Sequence, residues 1–332
     1  MNSLRELIGK FDGKRVVVFG DLVADVFVYG EISRISREAP VLILNHRETQ
    51  VVPGGGANAI HNLRTLGACP IPIGVVGDDA EGNQLLQFFA KLDIDTSGIR
   101  VSKAYRTPTK MRILGGAVHS QRQQIVRIDS GGPLDGDDLR SEVERKLKDT
   151  VRNADALLLS DYGYGLVQPR IVVRLSNKST PVTVDSRFSF DQFTGLTAAT
   201  PNEPEVEAAL GVPIGNDLKK LEWAGRTLLR KLKHEALLIT RGKDGMALFE
   251  QGRKTVHIPV YGPDEVADVT GAGDTVIATF TLALAAGADF GDAARLANLA
   301  GGIVVMKYGT RPVLLDELAK AVEEANETPS PQ

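Results

Sequence analysis

The sequence predicts an α/β fold with a mostly parallel sheet covered by helices on both faces. Apolar runs of strand length alternate with stretches of helical period in both halves of the chain, and strands separated by helices pair in parallel through crossover connections. Two regions, residues 26–52 and 109–129, break that rhythm with short alternating runs and no helix between them. That is the pattern of small antiparallel strands, here expected to form a lid from two separate insertions.

The elements follow in order. Strand-length apolar runs lie at 15–20, 71–76, 156–160, 181–185 and 236–240, and helical period marks 57–67, 82–92, 169–176, 204–210 and 217–232. In the lid regions the alternating runs are 41–44, 110–114 and 124–129. Residues 130–138 (SGGPLDGDD) form a turn cluster ahead of another helix. The last three helices, 272–286, 291–307 and 314–324, follow one another without strands and so cap the sheet. Residues 326–332 are polar and contain proline, and disorder is expected there. No internal repeat or low-complexity block occurs.

The chain has 332 residues, and 39 Lys+Arg against 42 Asp+Glu leave a net charge of −3, with 42% hydrophobic residues. This is the composition of a soluble globular protein, and the length suits two domains or one large α/β unit. The mildly acidic balance supplies no basic surface for nucleic acid or an anionic membrane. The single cysteine, Cys69, cannot form an intramolecular disulfide, and the five histidines (His46, His61, His119, His234, His257) are scattered rather than spaced for zinc. A reducing cytoplasm is therefore expected. Residues 1–15 lack the apolar core of a signal peptide, and the longest apolar stretch, 276–288, is shorter than the roughly 20 residues a span needs.

The sharpest motif is Asp268-Val-Thr-Gly-Ala-Gly-Asp274, directly ahead of the apolar helix. Glycines at a helix start let backbone approach a ligand, so the N–H groups of Gly271, Ala272 and Gly273 would face an anion, aided by the helix dipole. Asp274, in the first turn beside that cradle, is placed to take a proton from a hydroxyl attacking a held phosphoryl group. As local structure alone the segment would be a capping Asp on a glycine turn, which leaves the small residues and the second carboxylate unexplained. Pro53-Gly-Gly-Gly-Ala-Asn58 opens another helix, and Gly54-x-Gly56-x-x-Ala59 also fits a dinucleotide fingerprint, with Asp78 or Asp79 as the ribose acid of an oxidoreductase. No G-x-x-x-x-G-K-[ST] sequence occurs.

With its C-terminal D-x-T-G-A-G-D signature and early glycine pair, the chain resembles the ribokinase-like (PfkB) sugar kinases from residue 16 to about 322. The resemblance implies a ribokinase-like three-layer sandwich with a mostly parallel central sheet and a small β-strand lid, as one kinase domain over residues 1–325. By position it makes Asp274 the catalytic base, Gly271 to Gly273 the anion hole, and Asp25, Gly54, Gly55 and Asn58 the binders of sugar hydroxyls. The family's N-x-x-E motif matches Asn202-Glu-Pro-Glu205, which implies magnesium and phosphate positioning through water; a helix cap with a capping-box partner is the competing reading. Nucleotide binding falls by resemblance on Thr240, Gly242, Gly245 and Asn298, with Gly309 close by, although Asn298 reads equally as an interior polar residue satisfied by backbone. ATP and Mg²⁺ are the implied cofactors, with room for a monovalent cation.

Within the family the chain is similar to the heptose 7-phosphate kinases, including the kinase half of bifunctional heptose synthesis proteins. The matching segments are Gly20-Asp21-Leu-Val-Ala-Asp25, Ser33-Arg34-Ile-Ser-Arg-Glu-Ala-Pro-Val41, Thr109-Lys110-Met-Arg112, Gln124-Ile-Val-Arg127-Ile-Asp129, Ser160-Asp161-Tyr162-Gly-Tyr-Gly165 and Val184-Asp185-Ser-Arg187. A sugar phosphate needs cations for its distal phosphate, and Arg34, Arg37, Lys110, Arg112 and Arg187 are the candidates, with Asp161 also at the substrate. The competing reading is that these are solvated lid charges. Tyr164 and Arg187 stand where those kinases tend to have Lys, and the segment 115–123 looks longer than theirs. The implied reaction is phosphorylation of the C1 hydroxyl of D-glycero-D-manno-heptose 7-phosphate; ribose, fructose or a fructose phosphate are the alternative acceptors. The H-x-G-H type motif of the adenylyltransferase half does not occur, so adenylyl transfer is not expected. Exposed lid edges would favour a homodimer through the lid strands.

Overall fold

The computed structural model describes residues 2–116, 123–172, 180–262 and 267–327. In chain order the elements are α1 (Asn2–Ile8), β1 (Arg15–Gly20), β2 (Leu22–Ile35), β3 (Leu42–Gly55), α2 (Gly56–Thr65), β4 (Cys69–Gly77), α3 (Ala80–Lys91), β5 (Ile99–Ser102), β6 (Thr109–Gly116), β7 (Gln123–Ser130), α4 (Asp137–Val151), β8 (Ala156–Asp161) and α5 (Pro169–Val172). There follow β9 (Val182–Ser186), β10 (Ala198–Ala199), α6 (Glu203–Leu210), α7 (Leu218–Leu232), β11 (Ala236–Thr240), β12 (Met246–Glu250), β13 (Val256–Ile258), α8 (Ala272–Ala285), α9 (Phe290–Val304) and α10 (Leu315–Glu327).

The large sheet has the order β13-β12-β11-β10-β9-β8-β1-β4-β5. It is parallel from β11 to β5, and β12 and β13 extend it antiparallel. Its central strand shows why both faces carry helices. Val16 and Val18 enter a core with Ile60 of α2, Phe89 of α3, Phe280 of α8 and Leu296 of α9, while Val17 and Phe19 enter a second core with Leu147 of α4, Leu228 of α7 and Phe249. A strand buried on both sides has no polar face, which is why residues 15–20 read as a continuous apolar run. Helix α8 is buried almost all round from Asp274 to Ala283 for the same reason.

The second sheet, β3-β2-β6-β7, is the lid. Strand β2 pairs antiparallel with β3 and parallel with β6, and β7 closes antiparallel on β6. Sequence reading expected short strands here, whereas β2 and β3 each run 14 residues. Irregularities between Tyr29 and Gly30 and between Ile32 and Arg34 shift the register and break the two-residue alternation that would have marked one long strand. The base of β2 is buried against the main body and its far end, from Ile32 to Ile35, is exposed.

Elements α1, β5, β10, β12 and β13 were not expected from the sequence; all are short, so each offers little periodicity. Helix α10 continues through Glu327, into the tail expected to be disordered, and residues 328–332 lie outside those described. So do residues 117–122 of the long lid segment and 173–176 of the helix expected after Pro169. No helix among the described residues is long and apolar enough to cross a membrane.

Phe249 is fully buried on β12, its ring so close to Gly225 of α7 that no side chain fits between them. Phe249→Ala leaves a cavity at this helix–sheet contact and should lower unfolding free energy by about 3–5 kcal/mol; urea titration measures it, and a loss below about 1 kcal/mol would show that the layer collapses to fill the space.

Candidate active site

The carboxyl ends of β1, β8 and β9 open toward the N-terminus of α8, the crevice where open parallel sheets hold ligands. A cleft of about 560 Å³ there is lined by Tyr162, Asp185, Arg187, Asn202, Glu205, Thr240, Gly242, Gly271, Gly273 and Asp274, among others. Gly271 caps α8 with φ 79°, and a Cβ on it would stand 2.6 Å from the Asn58 side-chain nitrogen. Only glycine allows both that backbone turn and that approach. Gly271 and Gly273 face the cleft as expected; Ala272 does not line it, and its N–H donates to the Val269 carbonyl at 3.3 Å.

Asp274 is 3% exposed. The Tyr162 hydroxyl donates to its Oδ1 at 2.6 Å, and the Asn58 amide donates to Oδ2 at 3.0 Å. Burial pushes its carboxyl up to about 6, against the pull of these two donors and of the Lys110 charge. Asn58 is steadied in turn by Asn62, whose amide donates to the Asn58 side-chain oxygen at 3.1 Å. The Asn62 oxygen accepts from Thr275 Oγ1 and from the Val313 N–H, so one buried side chain joins α2, α8 and the C-terminal segment.

On the lid side of Asp274 lies Asp25 of β2. Arg112 of β6 donates to its Oδ1 at 2.8 Å and Thr310 to its Oδ2 at 2.9 Å. Gly54 is required here because a Cβ would come 2.7 Å from the Asp25 carboxyl carbon. Lys110 lies with Nζ 4.2 Å from the Tyr162 ring centre. Asp25, Gly54, Asn58 and Lys110 are thus gathered around Asp274, and Gly55 packs under the Tyr162 ring.

Other expected residues are placed differently. Arg112 pairs with Asp25 through Nη1 in a buried ion pair. Arg34 is exposed on β2, nine residues beyond Asp25, about 30 Å along an extended strand. The Asp161 carboxylate is buried and accepts from Ser186 Oγ, Ser189 Oγ and the Gly163 N–H, so it ties the loop after β8 to β9. Arg187 lines the cleft beside Asn202 and Glu205. Asn298 donates to the Pro259 carbonyl at 2.9 Å, the interior reading of that residue, and Gly245 closes the β11–β12 turn where a Cβ would strike backbone. Gly309 N–H donates to Asp268. The dinucleotide reading of residues 54–59 fails on topology: β3 is an antiparallel lid strand, not the first strand of a parallel βαβ unit.

Asn202 and Glu205 form a reciprocal capping box on α6, at 2.8 and 2.9 Å, while both still border the cleft. Sequence reasoning passed over Asp185, Tyr162 and Asn62, although the first two stand inside motifs it had singled out. Burial and the nearby Asp274 charge push the Asp185 carboxyl well up, and burial raises Glu205. Among the described residues no group of three His, Cys, Asp or Glu is arranged as a metal cage. The oxygen donors Asp185, Asn202 and Glu205 nevertheless fit magnesium, which keeps most of its waters and shares phosphates rather than filling a protein cage.

Residues 14–317 match the family described as pfkB family carbohydrate kinase. The chain belongs to this family. It is accordingly a phosphotransferase whose acceptor is a sugar hydroxyl. It is 39% identical over 320 residues to a protein of Coxiella burnetii named bifunctional protein HldE, covering 96% of this chain and 65% of that one. A Pelobacter propionicus protein of the same name is 38% identical over 333 residues, covering 98% and 66%. The chain thus spans about two-thirds of the length of these relatives. Arabidopsis thaliana ribokinase with ribose and ATP superposes with TM-score 0.73 at 22% identity over 94% of this chain and 99% of that one. Escherichia coli phosphofructokinase-2 with fructose-6-phosphate gives 0.76 at 16% identity over 95% and 100%. The shared architecture is the ribokinase-like α/β fold.

Asp21, at the end of β1, accepts N–H donors from Tyr162 and Tyr164 on one oxygen, and its other oxygen is buried with no partner among the described residues. Burial pushes this carboxyl from 3.8 up to about 7. A raised acid favours the fold only while protonated, so its contribution is full below about pH 4 and is lost as pH rises to about 7. Asp21→Asn should remove that slope, flattening the fall in unfolding free energy between pH 4 and 8 by on the order of 4 kcal/mol. Urea titrations of both proteins across that range check it; parallel curves would mean Asp21 stays ionised in the fold.

Proposed function

We propose that the chain transfers the γ-phosphoryl group of ATP to the C1 hydroxyl of D-glycero-D-manno-heptose 7-phosphate, giving the 1,7-bisphosphate, in ADP-heptose synthesis for lipopolysaccharide precursors. The observation that carries the chemistry is the position of Asp274. It stands between a glycine-lined cleft suited to phosphates and the buried polar groups of Asp25 and Asn58, whose chemistry suits sugar hydroxyls. The heptose assignment is supported by the lid motifs and by relatives named HldE.

In the proposed mechanism Asp25, held by Arg112 and Thr310, and Asn58 orient the sugar. Asp274 takes the C1 hydroxyl proton as the oxygen attacks the γ-phosphorus in line. The N–H groups at Gly271 and Gly273, with the dipole of α8, meet the charge on the transferred group. Asp185, Asn202 and Glu205 would hold magnesium, which when bound neutralises phosphate charge. Arg187, in the same cleft, serves the nucleotide phosphates. A homodimer through the lids is part of this reading, since Ile32, Ile35, Leu42, Ile125, Val126 and Ile128 are all exposed on lid strands. A second reading, another sugar or sugar phosphate, is favoured by the commitment of Arg112 to Asp25 and the exposure of Arg34.

ADP release from ATP and Mg²⁺ with heptose 7-phosphate, sedoheptulose 7-phosphate, fructose 6-phosphate, ribose and fructose should show strong turnover with the first alone; turnover with another member keeps the kinase and discards the heptose. Asp274→Asn should lower kcat at least 10²- to 10⁴-fold with little change in sugar affinity, and wild-type kcat/KM should fall below pH of about 6 as the base is protonated. Near-normal turnover of the variant removes Asp274 from its role. Light scattering should give a dimer, and a monomer at micromolar concentration ends the lid pairing.

A further inference from the structure

Tyr162 is the residue whose placement the reaction just described leaves unused. Its hydroxyl is 2.6 Å from Asp274 Oδ1, and Asn58 holds Oδ2 at 3.0 Å. With one donor on each oxygen the plane of the carboxylate is fixed, and each oxygen keeps a second lone-pair direction for an incoming hydroxyl. The phenol itself is held from three sides. The Tyr162 N–H donates to Asp21 at 2.8 Å, a Cβ on Gly55 would come 3.1 Å from the ring, and Lys110 of the lid sits over the ring face at 4.2 Å. These contacts hold the ring beside Asp274.

We propose that Tyr162 is a positioning residue for phosphoryl transfer: confined between the lid lysine and the glycine turn, its phenol aims the Asp274 carboxylate at the acceptor hydroxyl. The proposal rests on Asp274 being the base. The phenol acts as a donor throughout, because burial and the Asp274 charge push its own ionisation well up and it cannot take the substrate's proton. Burial raises Asp274 while the Tyr162 bond opposes the rise, so removing the hydroxyl moves the carboxyl further up. The other groups facing this carboxylate, Lys110 from β6, Asp25 from β2 and Asp185 from β9, stay in place in such a variant.

The test is the pH profile of Tyr162→Phe in the full chain, with whichever acceptor of the panel is turned over fastest. A hydrogen bond to a charged group is worth about 1.5–3 kcal/mol, so kcat should fall about 10-fold at pH 8 and about 50-fold at pH 6, as the acid limb moves up by about one pH unit. KM for ATP should be unchanged. Tyr162→Phe keeps the ring that Lys110 packs on, so urea titration of the variant should give nearly the wild-type unfolding free energy and show that the limb is read on folded protein. An unshifted limb in folded Tyr162→Phe overturns the positioning role. If Asp274→Asn also turns over normally, the base assignment itself falls and Tyr162 with it; if Asp274→Asn is inactive and the limb is unshifted, only the role of Tyr162 is lost.

Discussion

Everything at this site depends on holding one buried carboxylate, Asp274, where three chain segments meet. Its partners come from positions 112 and 216 residues away in sequence. A buried carboxylate is tolerated when its lone pairs are satisfied, and here neutral donors satisfy them rather than a directly paired cation. That choice matters chemically. An Arg paired directly to Asp274 would hold the proton affinity low and make a poor base, whereas a phenol and an amide leave the carboxyl near 6. The direct Arg pairing is given instead to Asp25.

The rest of the fold reads as support for that placement. The parallel sheet brings Gly20, Ser160 and Asp185 to one edge, and α8 points its N-terminus across that edge. Helix α2 must then run close beneath α8, and Asn62 fills the polar gap between them with bonds to both helices and to Val313. The lid strand β2 starts at Leu22, one residue after Asp21, so the lid is rooted in the same strand end that carries the site. Movement at the base of β2 would shift Asp25 and, through β6, Lys110 over the Tyr162 ring.

The legible parts of the sequence were those in which local backbone geometry demands a residue type. Gly271 could be read because the start of α8 needs a left-handed turn pressed against the Asn58 side chain, and the motif that carries it also carries Asp274. The central strands could be read because double burial leaves no polar face. What stayed hidden depends on pairing across long stretches of chain. Tyr162 and Asn62 have no local signature, since a phenol or amide declares its function only through its partner. The pairing of Arg112 with Asp25 stayed hidden for the same reason, because nothing near it in sequence announces a partner 87 residues away. The lid strands looked short because their register irregularities interrupt the alternation that marks a strand.

The same cleft also shows a tension between stability and chemistry. Asp21, Asp185, Glu205 and Asp274 are all pushed upward, mainly by burial, so ionising these acids costs the free protein stability. Such acids are destabilising near neutral pH, and three of them, Asp185, Glu205 and Asp274, line the cleft proposed for magnesium and nucleotide. A cation entering beside Asp185 and Glu205 would favour their ionised forms, so ligand binding and folding stability are linked at this cleft. Glu205 is caught between the two demands, since one of its oxygens already accepts the Asn202 N–H in the cap of α6. Glu205 keeps the cap at the start of α6 while still bordering the cleft, so the capping reading and the proposed magnesium role of the Asn202–Glu205 motif are compatible in one geometry.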